Sequence, residues 1–232
     1  MVFDGRYVAN ETAYKPYAES ALASRFSDVE TFDAFYESLS TREKKDEFLR
    51  VTCFYLFLVK RGDWHVDVEG SNPVIDYLTN SFKLVALFSL IESLSNVQHQ
   101  DFYQWLCSRD ASGLFLVQDR AALDRHYVEY NASFGSIRRC IAFFERLSES
   151  RKKELSNAVH IGGEPLSSIK HLAEFLYNLR SKFVHEARLV LQVSNHPVAS
   201  VGKKGLVLAD LPVGLLFDVF EEGVLAYFRD GT

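Results

Sequence analysis

The sequence predicts a mainly α-helical fold with a small β-hairpin ahead of the C-terminal helix, and three observations carry that expectation. Apolar residues recur at helical spacing between capping and stop signals over most of the chain. With 47% hydrophobic and 14% aromatic residues against 12 glycines and 5 prolines in 232 residues, disordered, collagen-like and low-complexity classes are excluded and a sizeable core is available. The β-leaning runs are confined to Leu189–Val193 and Gly205–Leu211, late in the chain.

Taken in order, Thr31–Lys60 carries the capping-box pattern Ser40-x-x-Glu43 ahead of the amphipathic run Phe48, Leu49, Val51, Thr52, Tyr55, Leu56, Val59, which predicts a helix over 41–60. Gly62, Gly70 and Asn72-Pro73 punctuate the connection, and Pro73 at a first helical position behind an Asn cap opens a helix over 73–95. Leu84, Leu87, Phe88, Ile91 and Leu94 form one stripe of it, and Phe82, Val85 and Leu90 spread well beyond that stripe, so this is the expected core helix. Shorter helices are expected at 99–108, 119–131, 134–149 and 151–158 before the loop Ile161-Gly162-Gly163-Glu164-Pro165 resets the chain. A helix over 167–185 follows. The two β-leaning runs, separated by Asn195-His196-Pro197 and Gly202-Lys203-Lys204-Gly205, read as an antiparallel hairpin. A last helix over 211–228 is expected behind an Asp210 cap with Pro212 in its first turn. With no repeat of 20–50 residues and no Ser/Gly-rich linker, the expected division is an N-terminal helical portion, 1–70, and a helical domain, 71–232.

A net charge of −5 means that any polyanion must be gripped by a local basic patch rather than by overall charge. Cys53, Cys107 and Cys140 are far apart and odd in number, which reads as reduced thiols in a cytoplasmic compartment. The start, Met1–Arg6, lacks a basic segment followed by an apolar run, and the longest apolar stretches, Val51–Val59 and Leu84–Leu90, fall short of the ~18 residues of a membrane span, so no membrane partner is expected. His65-Val66-Asp67-Val68-Glu69 alternates metal-ligand residues without a second cluster, and Gly162-Gly163-Glu164 lacks the Gly-Lys-Ser/Thr that cradles phosphates. Neither a metal nor another cofactor is therefore expected. Arg138-Arg139, Arg151-Lys152-Lys153 and Lys203-Lys204 are short basic clusters of the kind that lie on solvated faces or track an RNA backbone.

One residue breaks the pattern. On the 167–185 helix Arg180 falls between Leu176 and Ala173 on the apolar stripe. A guanidinium cannot escape burial by deprotonating, so it needs a carboxylate, an interface or a ligand phosphate, unless its stem packs while its head reaches water. Glu92 on the core helix is the candidate carboxylate. Five residues on stands His185, giving Arg-x4-His; Arg120-x5-His126 has comparable spacing but lies on a solvated face. In a continuous helix five residues turn about 140° net, so Arg180 and His185 would diverge unless the helix ends near Val184 or the two groups meet across a dimer seam. An exposed histidine favoured electrostatically at a helix C-terminus is the plainer reading of His185.

The string Leu176-Tyr177-Asn178-Leu179-Arg180-Ser181-Lys182-Phe183-Val184-His185 resembles the Arg-x4–6-His motif of HEPN-domain proteins, in the version carried by ApeA-like HEPN domains. Leu90-Ile91-Glu92-Ser93-Leu94 is similar to their earlier helix with its acidic residue. The resemblance covers roughly 73–228, and it implies an antiparallel helical bundle, a homodimer, and metal-independent cleavage of RNA in toxin or phage-defence systems. It further implies Arg180 and His185 as catalytic residues, supported by Glu92, Ser181 and Asn178, with RNA as substrate and a regulatory or antitoxin protein as a further partner. The alternative is a catalytically inactive HEPN-like binding module.

Overall fold

In the computed structural model, which describes residues 5–65, 69, 72–94, 102, 105–106, 120–202 and 205–230, the chain is mainly helical with one four-stranded antiparallel sheet. It opens with α1 (Arg6–Ala9), α2 (Glu11–Leu22), α3 (Val29–Ser38) and α4 (Arg42–Phe54). The first N–H groups of such short helices need acceptors from outside the helix. Asp46, buried on α4, accepts from the N–H groups of Tyr7 at 2.8 Å and Val8 at 2.9 Å at the start of α1. Asp28 caps α3 by accepting from Thr31 N–H at 2.8 Å. Thr41 caps α4 by accepting from Lys44 N–H at 3.2 Å, one residue beyond the Ser40 of the expected box.

Beyond Phe54 the helix continues as a π-helical segment, Tyr55–Lys60, so the stretch expected over 41–60 is continuous but changes its winding. Tyr55, Leu56 and Val59 of that segment are buried while Phe57 and Leu58 are exposed. Next comes α5 (Asn72–Ser93), the expected core helix. Its Val74–Ser93 stretch is long and apolar enough to cross a bilayer by length and composition, at a mean hydropathy of 1.4. In the fold part of that apolar surface is covered by protein: Leu84, Leu87, Phe88, Leu90 and Ile91 are each no more than 4% exposed, whereas Val74 and Phe82 lie at the surface.

α6 (Arg120–Phe134) and α7 (Ser136–Glu145) meet at Gly135, and Ser148 caps α8 (Glu149–Asn157). The helix expected at 99–108 lies almost wholly outside the described residues, as do Cys107 and the Lys203-Lys204 pair. Ser168 caps α9 (Ile169–Glu186) by accepting from His171 N–H at 3.3 Å. At the other end Ala187 takes the left-handed conformation, φ 53°, and returns its N–H to the Phe183 carbonyl at 3.1 Å, so α9 stops one residue past His185. Leu172 and Leu176 of α9 are fully buried, but Phe183, expected in the same layer, is only partly so.

The sheet departs most from expectation. Four strands run in the order β2-β1-β4-β3: β1 (Val159–Ile161), β2 (Glu164–Pro165), β3 (Val198–Gly202) and β4 (Gly205–Ala209). The expected loop at 161–165 is the turn of a hairpin, with Ile161 paired to Glu164 and both Gly162 (φ 66°) and Gly163 (φ 93°) in the positive-φ region that a two-residue turn of this hand requires. The expected strand Leu189–Val193 does not form. Its backbone is claimed by α5 instead: Val190 N–H donates to Ser81 Oγ at 2.9 Å, and Asn80 Nδ2 donates to the Val193 carbonyl at 2.9 Å. The hairpin before the last helix is therefore β3–β4, and Gly202 and Gly205, expected between two separate runs, pair with each other at its end. Asp210 is not a helix cap; its N–H extends the sheet to the Ala158 carbonyl at 2.8 Å, and α10 runs over Val213–Asp230.

One contiguous apolar core runs from Ala18 to Phe228, so residues on both sides of position 70 share it. The link is α10. Phe228 packs edge-on against Phe48 of α4 at 5.2 Å, and Gly223 lies under the Phe143 ring of α7. A Cβ at position 223 would meet Phe143 Cζ at 2.3 Å, and that ring is itself buried and stacked on Phe220. Gly223→Ala, which in an open helix gains about 1 kcal/mol, is accordingly expected to cost about 1–3 kcal/mol here. A lowered urea midpoint at unchanged slope is the expected readout.

Candidate functional site

Three helices converge on Arg180. It projects from α9 toward the C-terminal end of α5, with Nη2 3.9 Å from Glu92 Oε1, and its guanidinium lies 5.5 Å from the Tyr177 ring centre. The side chains of Arg180 and Glu92 are 18% and 20% exposed, so this ion pair is largely withdrawn from water. The third helix, α7, contributes Arg139, whose Nη1 donates to the Glu92 carbonyl at 3.2 Å, and the fully buried Cys140. Burial pushes the Cys140 thiol up to about 12, and the negative charge of Glu92 adds to that, with Arg180 and Arg139 opposing. The thiol is therefore an inert neutral wall of the cluster rather than a nucleophile.

The cluster is short of hydrogen bonds. Among the described residues, Arg180 Nε, Arg139 Nη2 and Glu92 Oε1 are buried without a hydrogen-bond partner. At 3.9 Å the Arg180–Glu92 contact is an ion pair without a hydrogen bond. Arg180 pairs with the Glu92 carboxylate and Arg139 with its main-chain carbonyl, which leaves two buried donors, Arg180 Nε and Arg139 Nη2, able to meet an anionic oxygen.

His185 is placed differently. It is exposed in the last turn of α9. Asn178 and Ser181 share its strip of the helix at spacings of seven and four residues; Asn178 is exposed and Ser181 partly so. Among the described residues no hydrogen bond joins Arg180 to His185, Ser181 or Asn178. One chain thus brings Arg180 to Glu92, as the apolar-stripe argument expects, and keeps His185, Ser181 and Asn178 on another face. α9 ends at Glu186, within two residues of His185 as the sequence leads one to expect, with Ala187 as its left-handed cap.

The remaining sequence candidates separate cleanly. Arg151 is spent on Glu154 at 2.5 Å, Glu222 at 3.3 Å and Asp218 at 3.9 Å, and Lys152 on Glu149 and Glu145, so two of the three cations of that basic cluster are paired with carboxylates. Asp67 of the alternating His65–Glu69 run lies outside the described residues, and among the described residues no three His, Cys, Asp or Glu side chains are grouped to hold a metal.

Sequence reasoning missed the strongest polar cluster, which is structural. Glu221 of α10, 2% exposed, accepts from Ser24 Oγ at 2.6 Å, Arg25 Nε at 3.0 Å, Tyr55 Oη at 2.8 Å and Lys60 Nζ at 2.8 Å. Burial pushes its carboxyl up, but hydrogen bonds from Lys60, Ser24 and Tyr55 outweigh that and hold it below the ordinary glutamate value. The signal was present: Glu221 has Phe217, Val224 and Leu225 at helical spacing, the same break in an apolar stripe that singled out Arg180. The chain matches no protein-family model, no curated protein and no solved structure.

Proposed function

We propose that the chain is a HEPN-like, metal-independent endoribonuclease of the cytoplasm, with the HEPN-like domain over 71–232 and residues 1–70 packed on it as an N-terminal helical portion. The observation that carries the reading is Arg180, a permanently charged group held on a buried helix face with a free donor and with Glu92 positioned to orient it. Arg180 suits a phosphate because its charge is permanent and its donors are forked. His185 suits the removal of the 2′-hydroxyl proton because a neutral imidazole carries a ring nitrogen that accepts one. The 2′-oxygen attacks the adjacent phosphorus, the 5′-oxygen leaves with a proton, and the product carries a 2′,3′-cyclic phosphate. One histidine per chain supplies one of the two proton transfers, so the reading includes a homodimer with both motif helices near its axis. A toxin or phage-defence setting with an antitoxin or other regulatory partner belongs to the same proposal.

The test is direct. RNA, including tRNA and mRNA, incubated with purified protein in EDTA is expected to give 2′,3′-cyclic phosphate ends, and Arg180→Ala and His185→Ala are each expected to lower the rate at least about 100-fold. Cleavage unchanged in both variants overturns the assignment. A second reading, a catalytically inactive HEPN-like binding module, is favoured by the way Arg180 turns to Glu92 and away from His185. It is the reading that remains if no RNA in the panel is cut.

A further inference from the structure

Trp64, Phe82 and Phe183 form a ladder of rings at the surface. Trp64 stacks on Phe82 with centroids 4.2 Å apart and planes 25° apart, and Phe82 meets Phe183 edge-on at 5.0 Å. Trp64 is 47% exposed and Phe82 36%, so the rings are presented to solvent rather than sunk in the core. The ladder starts beside a pocket of about 630 Å³ whose lining includes Arg61, Asp63, Asp76, Lys83 and Asn195. It ends on α9 at Phe183, about 60° around the helix from Arg180 and about 160° from His185.

The pocket is polar, and its charges are unevenly used. Lys60, also at its edge, is neutralised by Glu221, whereas among the described residues neither Arg61 nor Lys83 has a carboxylate within 4 Å. Lys83 is half-buried against the Phe217 ring face at 5.6 Å, and burial lowers its amine below the ordinary lysine value, with Asp63 opposing. A partly desolvated ammonium of this kind gains from an incoming anion. Asp63 is already engaged by Trp64 N–H at 2.9 Å and by Thr79 Oγ1 at 3.4 Å, which fixes the loop that carries the tryptophan. Asp76 and Asn195 offer acceptors and an amide to the edge of a heterocycle.

We propose that this surface is the strand-binding subsite for unpaired RNA: a nucleobase stacks on the open face of Trp64, its polar edge meets the pocket, and the neighbouring phosphates lie against Lys83 and Arg61. Aromatic faces beside cations are how proteins hold single strands, since every base has a π-face to stack whereas a duplex hides it. The subsite rests on the ribonuclease reading for the strand being a substrate. It adds that the bound strand is unpaired, because a base stacks on Trp64 only when it is out of a duplex.

Binding is measured by anisotropy of a labelled single-stranded 2′-O-methyl oligouridine, whose blocked 2′-oxygen prevents cleavage, with the full-length protein and with Trp64→Ala, Trp64→Phe and Lys83→Gln variants. Trp64→Ala is expected to weaken binding about tenfold or more, Trp64→Phe to retain most of it, and Lys83→Gln to reduce both affinity and its salt dependence. The same sequence annealed to its complement is expected to bind far more weakly. Trp64 is exposed, so an unchanged melting temperature separates lost binding from lost folding. Wild-type affinity in Trp64→Ala, equal binding of the duplex, or no binding of the single strand at all overturns the subsite. Binding that depends on Trp64 in a protein that cuts no RNA leaves the subsite standing and removes the ribonuclease; cleavage that depends on Arg180 and His185 but not on Trp64 does the reverse.

Discussion

Replacing Glu221 with alanine is expected to destabilise the protein by about 3–5 kcal/mol, the range for breaking a buried ion pair from one side. Its carboxylate, 2% exposed, compensates Arg25 and Lys60, whose side chains are themselves only 20% and 25% exposed, and it receives the hydroxyls of Ser24 and Tyr55. Alanine would leave two partly desolvated cations without a counter-charge and would detach α10 from the end of α2 and from the π-helical segment in one change. For a chain of this length the loss corresponds to about 10 °C in melting temperature. Glu221→Gln keeps the shape and is expected to lose less. The same group sets an acid limit. Because folding holds this carboxyl below its ordinary value of 4.5, its stabilisation is complete above that pH and is lost as the pH falls through the lowered value. Acid unfolding followed by circular dichroism should therefore shift little in Glu221→Gln relative to its neutral-pH stability, whereas the wild type loses this contribution. A melting temperature of Glu221→Ala within a degree or two of wild type would show that the hub does not hold the two ends of the chain together.

The second large effect concerns concentration. Arg180 and His185 are separated by about 7.5 Å of rise and about 140° of rotation on one unbroken helix, and Arg180 is drawn the other way by Glu92. A single chain therefore does not offer both groups to one phosphate. If the proposed ribonuclease is a two-fold dimer, one subunit supplies what the other lacks, and specific activity is expected to fall in step with dissociation across a dilution series followed by sedimentation. Full specific activity in a monomeric sample would rule out the shared cleft.

The helices were legible because each carries its evidence locally. The stripe Leu84, Leu87, Phe88, Ile91 and the Ser168 cap with its following apolar period mark α5 and α9 to within a few residues. The sheet was not, because β1 and β4 lie some fifty residues apart and nothing in Val159–Ile161 announces its partner Val207–Ala209. Leu189–Val193 shows the converse: its composition favours a strand, but Ser81 and Asn80 of α5 take its hydrogen bonds first. At the candidate site the Arg180–Glu92 pairing was legible because an arginine on an apolar stripe demands a partner and Glu92 lay on the other buried helix. Arg139 was not, since it reaches the cluster through the Glu92 main-chain carbonyl, and main-chain acceptors leave no mark in a sequence.

The π-helical segment Tyr55–Lys60 has a consequence for how this chain tolerates insertions and deletions. A π turn is in effect one surplus residue lodged in an α-helix. Removing a residue between Tyr55 and Val59 would let the segment relax into ordinary helix, so the backbone itself would accept the loss. Side chains beyond the deletion would keep their bearing, because the wider turn already absorbs the extra residue, so Lys60 would still face Glu221 and the Ala21 carbonyl, which it reaches at 2.8 Å and 2.7 Å. A deletion here is therefore expected to cost less than one in the α-helical stretch Arg42–Phe54, where the loss of a residue turns every later side chain by about 100°.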